Sequence, residues 1–396
     1  MSELDYDPFS YATQEDPYPV YRRLRDEAPA WWSERRGFWA LSRHADVFAA
    51  LKDPVHFSSR HGITLERGFE DQAVEIYGML ALDPPRHDRH RELVSKGFTP
   101  RRVAELEPRI AAIVDECLDA VAPRGRCDFV AEVAGPIPMN VISELMGIPR
   151  ADRAPLRALS DAMVHREEGS SEISARSLEA SRELRAYFAA WVRDAKRRER
   201  DDLTAAILRA EIRGDRLSEE EVLGFLFMLV LAGHETTTNL LGNALYWLWR
   251  HPGERARVTA DPSLVPGWVE ETLRYDTVTH GVARTLARDL ELHGHRLREG
   301  ERVMLLLASG NRDERAFPDP DRFDVSRDGA GLLSFGTGTH YCLGASLARL
   351  EARLTLSRVL ARMGDYEIDA GGLARVRSST VRGFRTLPVV FTPRGA

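Results

Sequence analysis

The sequence predicts a mainly α-helical fold with a smaller β-rich region. Three observations carry this: sustained helical periodicity from about 86 to 275, strand-like runs on either side of it (about 28–60 and 277–396), and one very long apolar segment near the end of the helical part. The chain has 396 residues, enough for one large domain or two ordinary ones. No internal repeat, low-complexity stretch or flexible linker divides it. A single domain over 1–396 is therefore expected, with a helix-rich lobe and a strand-rich lobe.

The elements follow in order. A short helix, Pro19–Glu27, leads into WWSERRGFWALS, which reads as a hairpin with Gly37 at its turn and aromatic residues flanking it. A second short helix is expected at Arg43–Leu51. Residues 54–82 show no sustained period, and a long irregular segment inside a compact chain is usually functional or mobile. Ser181–Arg198 places Leu184, Tyr187, Phe188, Trp191 and Val192 at helical spacing. The charge run KRRERDD after it reads as a solvated helix end. Next comes RLSEEEVLGFLFMLVLAGHETTTNLLGNALYWLWRHP. Ser218 and Glu221 form a capping box, and Pro252 ends the pattern. About thirty residues at ~1.5 Å rise span roughly 50 Å, and a helix apolar on most sides runs through the middle of a core. Past 276, DLELHGHRL, ERVMLLLAS and TLPVVF read as strands, and Leu343–Met363 as a last long helix.

Bulk properties exclude several classes. A net charge of −6 argues against a nucleic-acid binder. Three cysteines, Cys117, Cys127 and Cys342, are too few for a disulfide framework, and a reducing cytoplasm fits. The N-terminal MSELDYDPFS is acidic and polar, unlike a signal peptide or membrane anchor. The longest apolar run, Val222–Gly233, has about twelve residues against the roughly twenty that span a bilayer. No membrane association is expected.

FGTGTHYCLG at 335–344 sets Cys342 between a glycine-bearing loop and the first turn of a helix. Glycines let backbone pass close to something bulky and flat. The unpaired N–H groups and positive dipole end of a helix start favour a thiolate. Such a sulfur suits a haem iron as its fifth ligand. A phosphate loop would need a Lys-Ser or Lys-Thr pair closing the glycine run, and none is present. On the residues alone, a structural cysteine or a nucleophile with a base from elsewhere in the chain stays open.

The positions Phe335, Gly336, Gly338, His340, Cys342 and Gly344 resemble the cysteine-ligand signature of the cytochrome P450 family, the haem-thiolate monooxygenases, in their soluble bacterial form. The resemblance extends over nearly the whole chain. It implies haem b with Cys342 as axial thiolate, a long central helix over the haem, and a substrate-covering loop at 54–82. It implies propionate partners at His87 and Arg91, four apart on one helix face, and at Arg284 and His340. Arg86 and Arg89 are neighbours that could also reach.

Ala232-Gly233-His234-Glu235-Thr236 interrupts the long helix with a glycine and a carboxyl beside a hydroxyl. Three unfavourable choices together suggest a kink or bulge. The small Ala232 and Gly233 would let a flat ring approach. Glu235 and Thr236 match the family's acid–alcohol pair, which relays protons. His234 packs only. Glu271 and Arg274 are spaced for a helical ion pair. The family buries this pair and adds an arginine from the segment matching FPDPDRFD, here Arg322. One departure is Thr277-Val278-Thr279, where many relatives carry a proline.

The implied reaction inserts one oxygen atom from dioxygen into an apolar or amphipathic small organic substrate, by hydroxylation or epoxidation, and the other atom leaves as water. Ile63, Leu65, Met79, Leu80, Val278 and Val282 hint at an apolar lining. No Gly-rich dinucleotide fingerprint follows the last helix, so electrons are expected from a separate ferredoxin or flavodoxin with its NAD(P)H reductase. Lys96, Arg101, Arg102, Arg349 and Arg353 would attract such an acidic partner. The alternatives are a peroxide-driven oxygenase on the same fold and a non-catalytic haem-binding or sensing protein.

Overall fold

The computed structural model describes residues 4–66, 73–95, 97–164, 166–197, 201–212 and 214–394. Lys96 and the middle of the KRRERDD run lie outside the described residues, as does 67–72 of the irregular segment. The chain is mainly helical, with 55% of residues in helices, and carries small sheets.

The long helix is the axis of the molecule. It runs Glu219–Arg250, 32 residues, and its capping box forms in both directions: the Glu221 N–H donates to Ser218 Oγ at 3.2 Å, and the Ser218 N–H to Glu221 Oε2 at 2.8 Å. Three glutamates in its first turn and Arg250 in its last complement the macrodipole. His251 ends it, and Pro252 begins the next helix. Its apolar residues, such as Leu226, Val230, Leu241 and Leu245, lie in one core with the helices Glu107–Val121, Pro136–Leu145, Ala175–Arg197, Val265–Tyr275 and Ala345–Met363. No helix among the described residues is long and apolar enough to cross a membrane.

The expected bulge is absent. The helix is α-helical throughout Glu219–Arg250, and a π-helical turn forms at Val130–Ala134 instead. The polar interruption is absorbed locally: Thr236 Oγ1 donates to the Ala232 carbonyl at 2.6 Å, and Thr238 Oγ1 to that of His234 at 2.9 Å.

The hairpin closes as read, Ala30–Ser33 against Phe38–Leu41, with Gly37 at φ 68°. It forms one edge of a five-stranded sheet. Phe38–Leu41 runs parallel to Arg302–Leu305, which pairs antiparallel with Val282–Leu286, and Phe57–Ser58 closes the far edge. The C-terminal strand Pro388–Phe391 sits between Arg126–Asp128 and Tyr366–Ile368. The last long helix begins at Ala345, with Gly344 as its cap, rather than at Leu343.

A buried polar network joins these parts. Arg274 and Glu271 are both almost fully buried and paired through two bonds, at 2.7 and 2.8 Å. Arg274 also donates to the carbonyls of Asn311 (3.0 Å), Pro320 (2.8 Å) and Arg322 (3.1 Å). The third arginine is not the expected one. The Arg322 side chain is 64% exposed and among the described residues meets only Asp324, at 3.4 Å, while the Arg322 N–H closes a turn onto Asp319. Arg327, 13% exposed, approaches Glu271 at 3.3 Å instead and donates to the carbonyls of Pro318, Asp319 and Arg322.

Removing one member of a buried pair strands the other charge, at a cost of about 3–5 kcal/mol. Arg274→Ala should therefore lower the denaturant midpoint sharply and yield little soluble protein. Arg322→Ala should change stability by no more than about 0.5 kcal/mol, as surface substitutions do. Equal losses in the two variants would contradict the assignment.

Candidate active site

The cysteine loop is shaped by backbone constraints. Gly336 and Gly338 have φ of 65° and 68°. A Cβ on Gly338 would stand 2.9 Å from the Leu51 carbonyl oxygen and 3.1 Å from Lys52 Cα, so the loop lies backbone-on-backbone against the end of the His44–Leu51 helix. The Gly336 N–H donates to Leu333 O at 2.8 Å, and the Cys342 N–H to Phe335 O at 2.9 Å. The Arg349 guanidinium stacks over the Phe335 ring, 4.4 Å from its centroid.

Cys342 is thereby fixed where its sulfur meets the N–H groups of Gly344 and Ala345. Burial pushes its thiol pKa up, while those amides, Arg91 and Arg349 pull it down, and burial wins. The helix start is therefore not enough to ionise it. A sulfur with this donor set becomes a thiolate when a cation binds it, which fits a metal-bound role. Burial raises Cys117 to about 11 and Cys127 to about 12, and neither is disulfide-bonded.

Beside the loop four basic side chains converge. The rings of His87 and His340 are 4.3 Å apart, and His340 Nε2 lies 3.2 Å from Ser59 Oγ. Burial lowers His340 to about 3, helped by Arg284, His87 and Arg91. Arg284 is buried, donates to its neighbour's carbonyl at Ala283 (2.8 Å), and is lowered to about 10 by desolvation, with Asp83 opposing. Neither Arg91 nor Arg284 makes an ion pair among the described residues. His87 contacts Asp88 through Nδ1 at 3.1 Å, but its buried Nε2 has no hydrogen-bond partner among the described residues. Two guanidiniums outside any ion pair among the described residues, with two imidazoles beside them, fit a bound dianion, and hence the two propionates of a haem. Arg89 is committed elsewhere, to Asp215 and Glu221, and Arg86 points outward.

On the long helix, buried residues flank a short stretch in which Ala232 is exposed and Leu231, Gly233, Glu235 and Thr236 are partly so. A Cβ on Gly233 would stand only 3.6 Å from Ile142, an ordinary contact, so protein packing alone does not demand glycine there. Burial and nearby Asp161 raise the Glu235 carboxyl to about 8, against the pull of Arg166 and Asn239. His234 is buried and lowered to about 3 by desolvation, so it is neutral and packs; Asp161 lies 3.8 Å from its Nδ1.

The predicted residues thus fall into two groups. Phe335, Gly336, His340, Cys342, Gly344, His87, Arg91 and Arg284 surround the loop; Ala232, Gly233, Glu235 and Thr236 share the helix. Among the described residues no hydrogen bond joins the groups. The apolar lining disperses: Met79, Leu80 and Val278 belong to the main core, Leu65 to an N-terminal cluster, and Val282 packs on the sheet cluster. Thr277, where the proline is missing, ties its segment to the helix before it. Its hydroxyl donates to Leu273 O at 2.9 Å and accepts from Asn311 at 2.8 Å, while Val278 O receives the Arg382 N–H at 2.8 Å. The basic patch is mixed in charge, since Arg349 pairs with Glu270 (2.6 Å), Arg353 with Glu107 (3.5 Å) and Arg101 with Glu105 (3.3 Å). Asp161, beside Glu235, has no periodic signal in sequence; Asn239, one turn from Glu235, has one.

Comparison with known proteins agrees with this geometry. The cytochrome P450 family model matches residues 176–363. A Mycobacterium tuberculosis protein designated cytochrome P450 123 is 51% identical over 389 residues, 98% of this chain and 97% of its own. The vitamin D(3) 25-hydroxylase of Pseudonocardia autotrophica is 38% identical over 99% of this chain and 98% of its own. The structure of cytochrome P450 CYP109Q5 from Chondromyces apiculatus superposes with a TM-score of 0.90 at 38% identity, covering 99% of this chain and all of that one. A thiol-bearing loop flanked by basic side chains, on a fold shared end to end with these relatives, makes this chain a member of the cytochrome P450 family of haem-thiolate monooxygenases.

Proposed function

We propose that the chain is a single-domain, haem b-dependent monooxygenase with Cys342 as its axial thiolate, and that it oxidises an apolar or amphipathic small organic substrate. The observation that carries this reading is the cluster of His87, Arg91, Arg284 and His340 beside the Cys342 loop, in which neither arginine makes an ion pair among the described residues. Haem, once bound, supplies dioxygen activation and transfer of one oxygen atom to the substrate. The similarity to a vitamin D(3) 25-hydroxylase supports a bulky apolar substrate. Electrons come from a separate ferredoxin or flavodoxin with its NAD(P)H reductase, in the cytoplasm.

The chain's own residues hold and move protons. With its pKa near 8, Glu235 carries a proton at neutral pH and is a donor. Thr236 spends its hydroxyl hydrogen on the Ala232 carbonyl in this structure; a rotation about χ1 would free it to pass a proton on. Ala232 and Gly233 leave room for a flat group beside the helix. Arg91 and Arg284 would neutralise the carboxylates of the cofactor, and His87 and His340 would help to orient it.

Three outcomes test the proposal. Cys342→Ser should abolish the red-shifted Soret band of the reduced carbon monoxide complex, and a retained band would mean another ligand. Thr236→Ala should raise peroxide release per NAD(P)H consumed; unchanged coupling would remove the hydroxyl from the relay. Glu235 is protonated below about pH 8 and loses its proton above it. Product formation should therefore fall as pH rises through 8 in the natural protein. This limb should disappear in Glu235→Gln, whose amide does not titrate, and its persistence there would assign it to another group.

A further inference from the structure

The helix Arg86–Ser95 carries His87 and Arg91, yet its sequence, RHDRHRELVS, gives it little to be held by. A surface helix is normally fixed by an apolar stripe. Here the buried apolar residues, Leu93 and Val94, come in the last turn, and the buried residues before them are two histidines, His87 and His90. His87, His90 and Arg91 stand at i, i+3 and i+4, so they share one face. His87 lies against His340. His90, one turn on, meets the long helix instead: its Nε2 is 2.9 Å from Glu221 Oε1.

Glu221 is the capping carboxylate of the long helix, and three donors share it. Oε2 accepts from the Ser218 N–H at 2.8 Å, and Oε1 accepts from His90 and, at 2.9 Å, from Arg89 Nη1. Burial opposes its ionisation, but these donors outweigh burial and hold its carboxyl below the usual range. Burial also lowers His90, against the pull of Glu221, so the ring is neutral near pH 7. A carboxylate only accepts, which puts the proton of that neutral ring on Nε2. The bond is therefore charge-assisted, and His90 is 6% exposed, where losing a partner is costly. It joins the two helices of the candidate site: one presents His87 and Arg91, the other Ala232, Gly233, Glu235 and Thr236.

We propose that His90 is a positioning residue. Through Glu221 Oε1 it sets the Arg86–Ser95 helix against the start of the long helix, and so sets His87 and Arg91 against the carboxylates of the cofactor. This role rests on the haem-thiolate reading of Cys342.

The test is the rate of haem transfer from ferric holoprotein to excess apomyoglobin, read beside the propionate bending bands of the resonance Raman spectrum. His90→Phe keeps a ring and loses the donor; it should lose haem about fivefold or more faster and shift those bands. His90→Gln keeps an N–H donor and should stay within about twofold of the natural protein, with the bands unmoved. Glu221→Gln keeps an acceptor for the capping box and gives up the charge. It should lose haem about threefold or more faster, which keeps the test valid if the phenylalanine variant folds poorly. The effects of His90→Phe and Glu221→Gln should not multiply in the double variant. The proposal is overturned if either variant keeps the natural rate, if the His90→Phe bands do not move, if His90→Gln behaves like His90→Phe, or if the two effects multiply. A natural protein whose reduced carbon monoxide complex lacks the red-shifted Soret band would instead overturn the haem-thiolate reading, and this role with it.

Discussion

The buried pair of Glu271 and Arg274 is the constraint on which the site depends. Charges of opposite sign taken from water are stable only when their remaining hydrogen-bonding capacity is met. Arg274 meets it through carbonyls of the 311–322 segment, and that segment is thereby pinned. Asn311 carries the constraint onward. Its amide oxygen accepts from the Leu333 N–H, its amide nitrogen donates to Ser334 and Thr277, and the Ser334 hydroxyl donates back to Leu273 O, all between 2.7 and 2.8 Å. Phe335 follows at once, and with it the loop that ends at Cys342. The sulfur is thus held by a continuous hydrogen-bonded path that starts on the Val265–Tyr275 helix.

Two electrostatic environments are set side by side by this scaffold. Around the cysteine loop, basic side chains are gathered in a buried setting, and desolvation first, then Arg284, His87 and Arg91, holds His340 low. On the long helix the reverse holds: burial raises the Glu235 carboxyl, with Asp161 adding to it, and burial raises Asp161 as well. An anionic, planar cofactor answers the first environment. A proton donor near neutral pH is the product of the second. Neither requires unusual backbone, which explains why the long helix stays regular through Gly233 while its hydroxyls absorb the polar interruption.

Local constraints were legible in the sequence and tertiary ones were not. Ser218, Glu221 and Pro252 marked the long helix because caps act within a turn. Gly336 and Gly338 marked the loop because positive φ and close backbone contact leave glycine little alternative. The spacing of Glu271 and Arg274 marked their pair for the same reason. Arg327 escaped because spacing does not say which of Arg322 and Arg327 reaches Glu271. The direction of the Cys342 shift escaped as well, since the helix start is visible in sequence and the desolvation that outweighs it is not. The apolar residues at 63–80 and 278–282 scattered into different clusters because hydrophobicity alone does not say which core a side chain joins. For that reason the substrate's shape is not written in any one segment.

Sulfur from position 342 is the centre of this description, and iron X-ray absorption on the ferric holoprotein reports it most directly. A single sulfur scatterer in the first coordination shell, at full occupancy, is the expected result. A first shell of nitrogen and oxygen alone, in protein that is folded and fully loaded with haem, would contradict it.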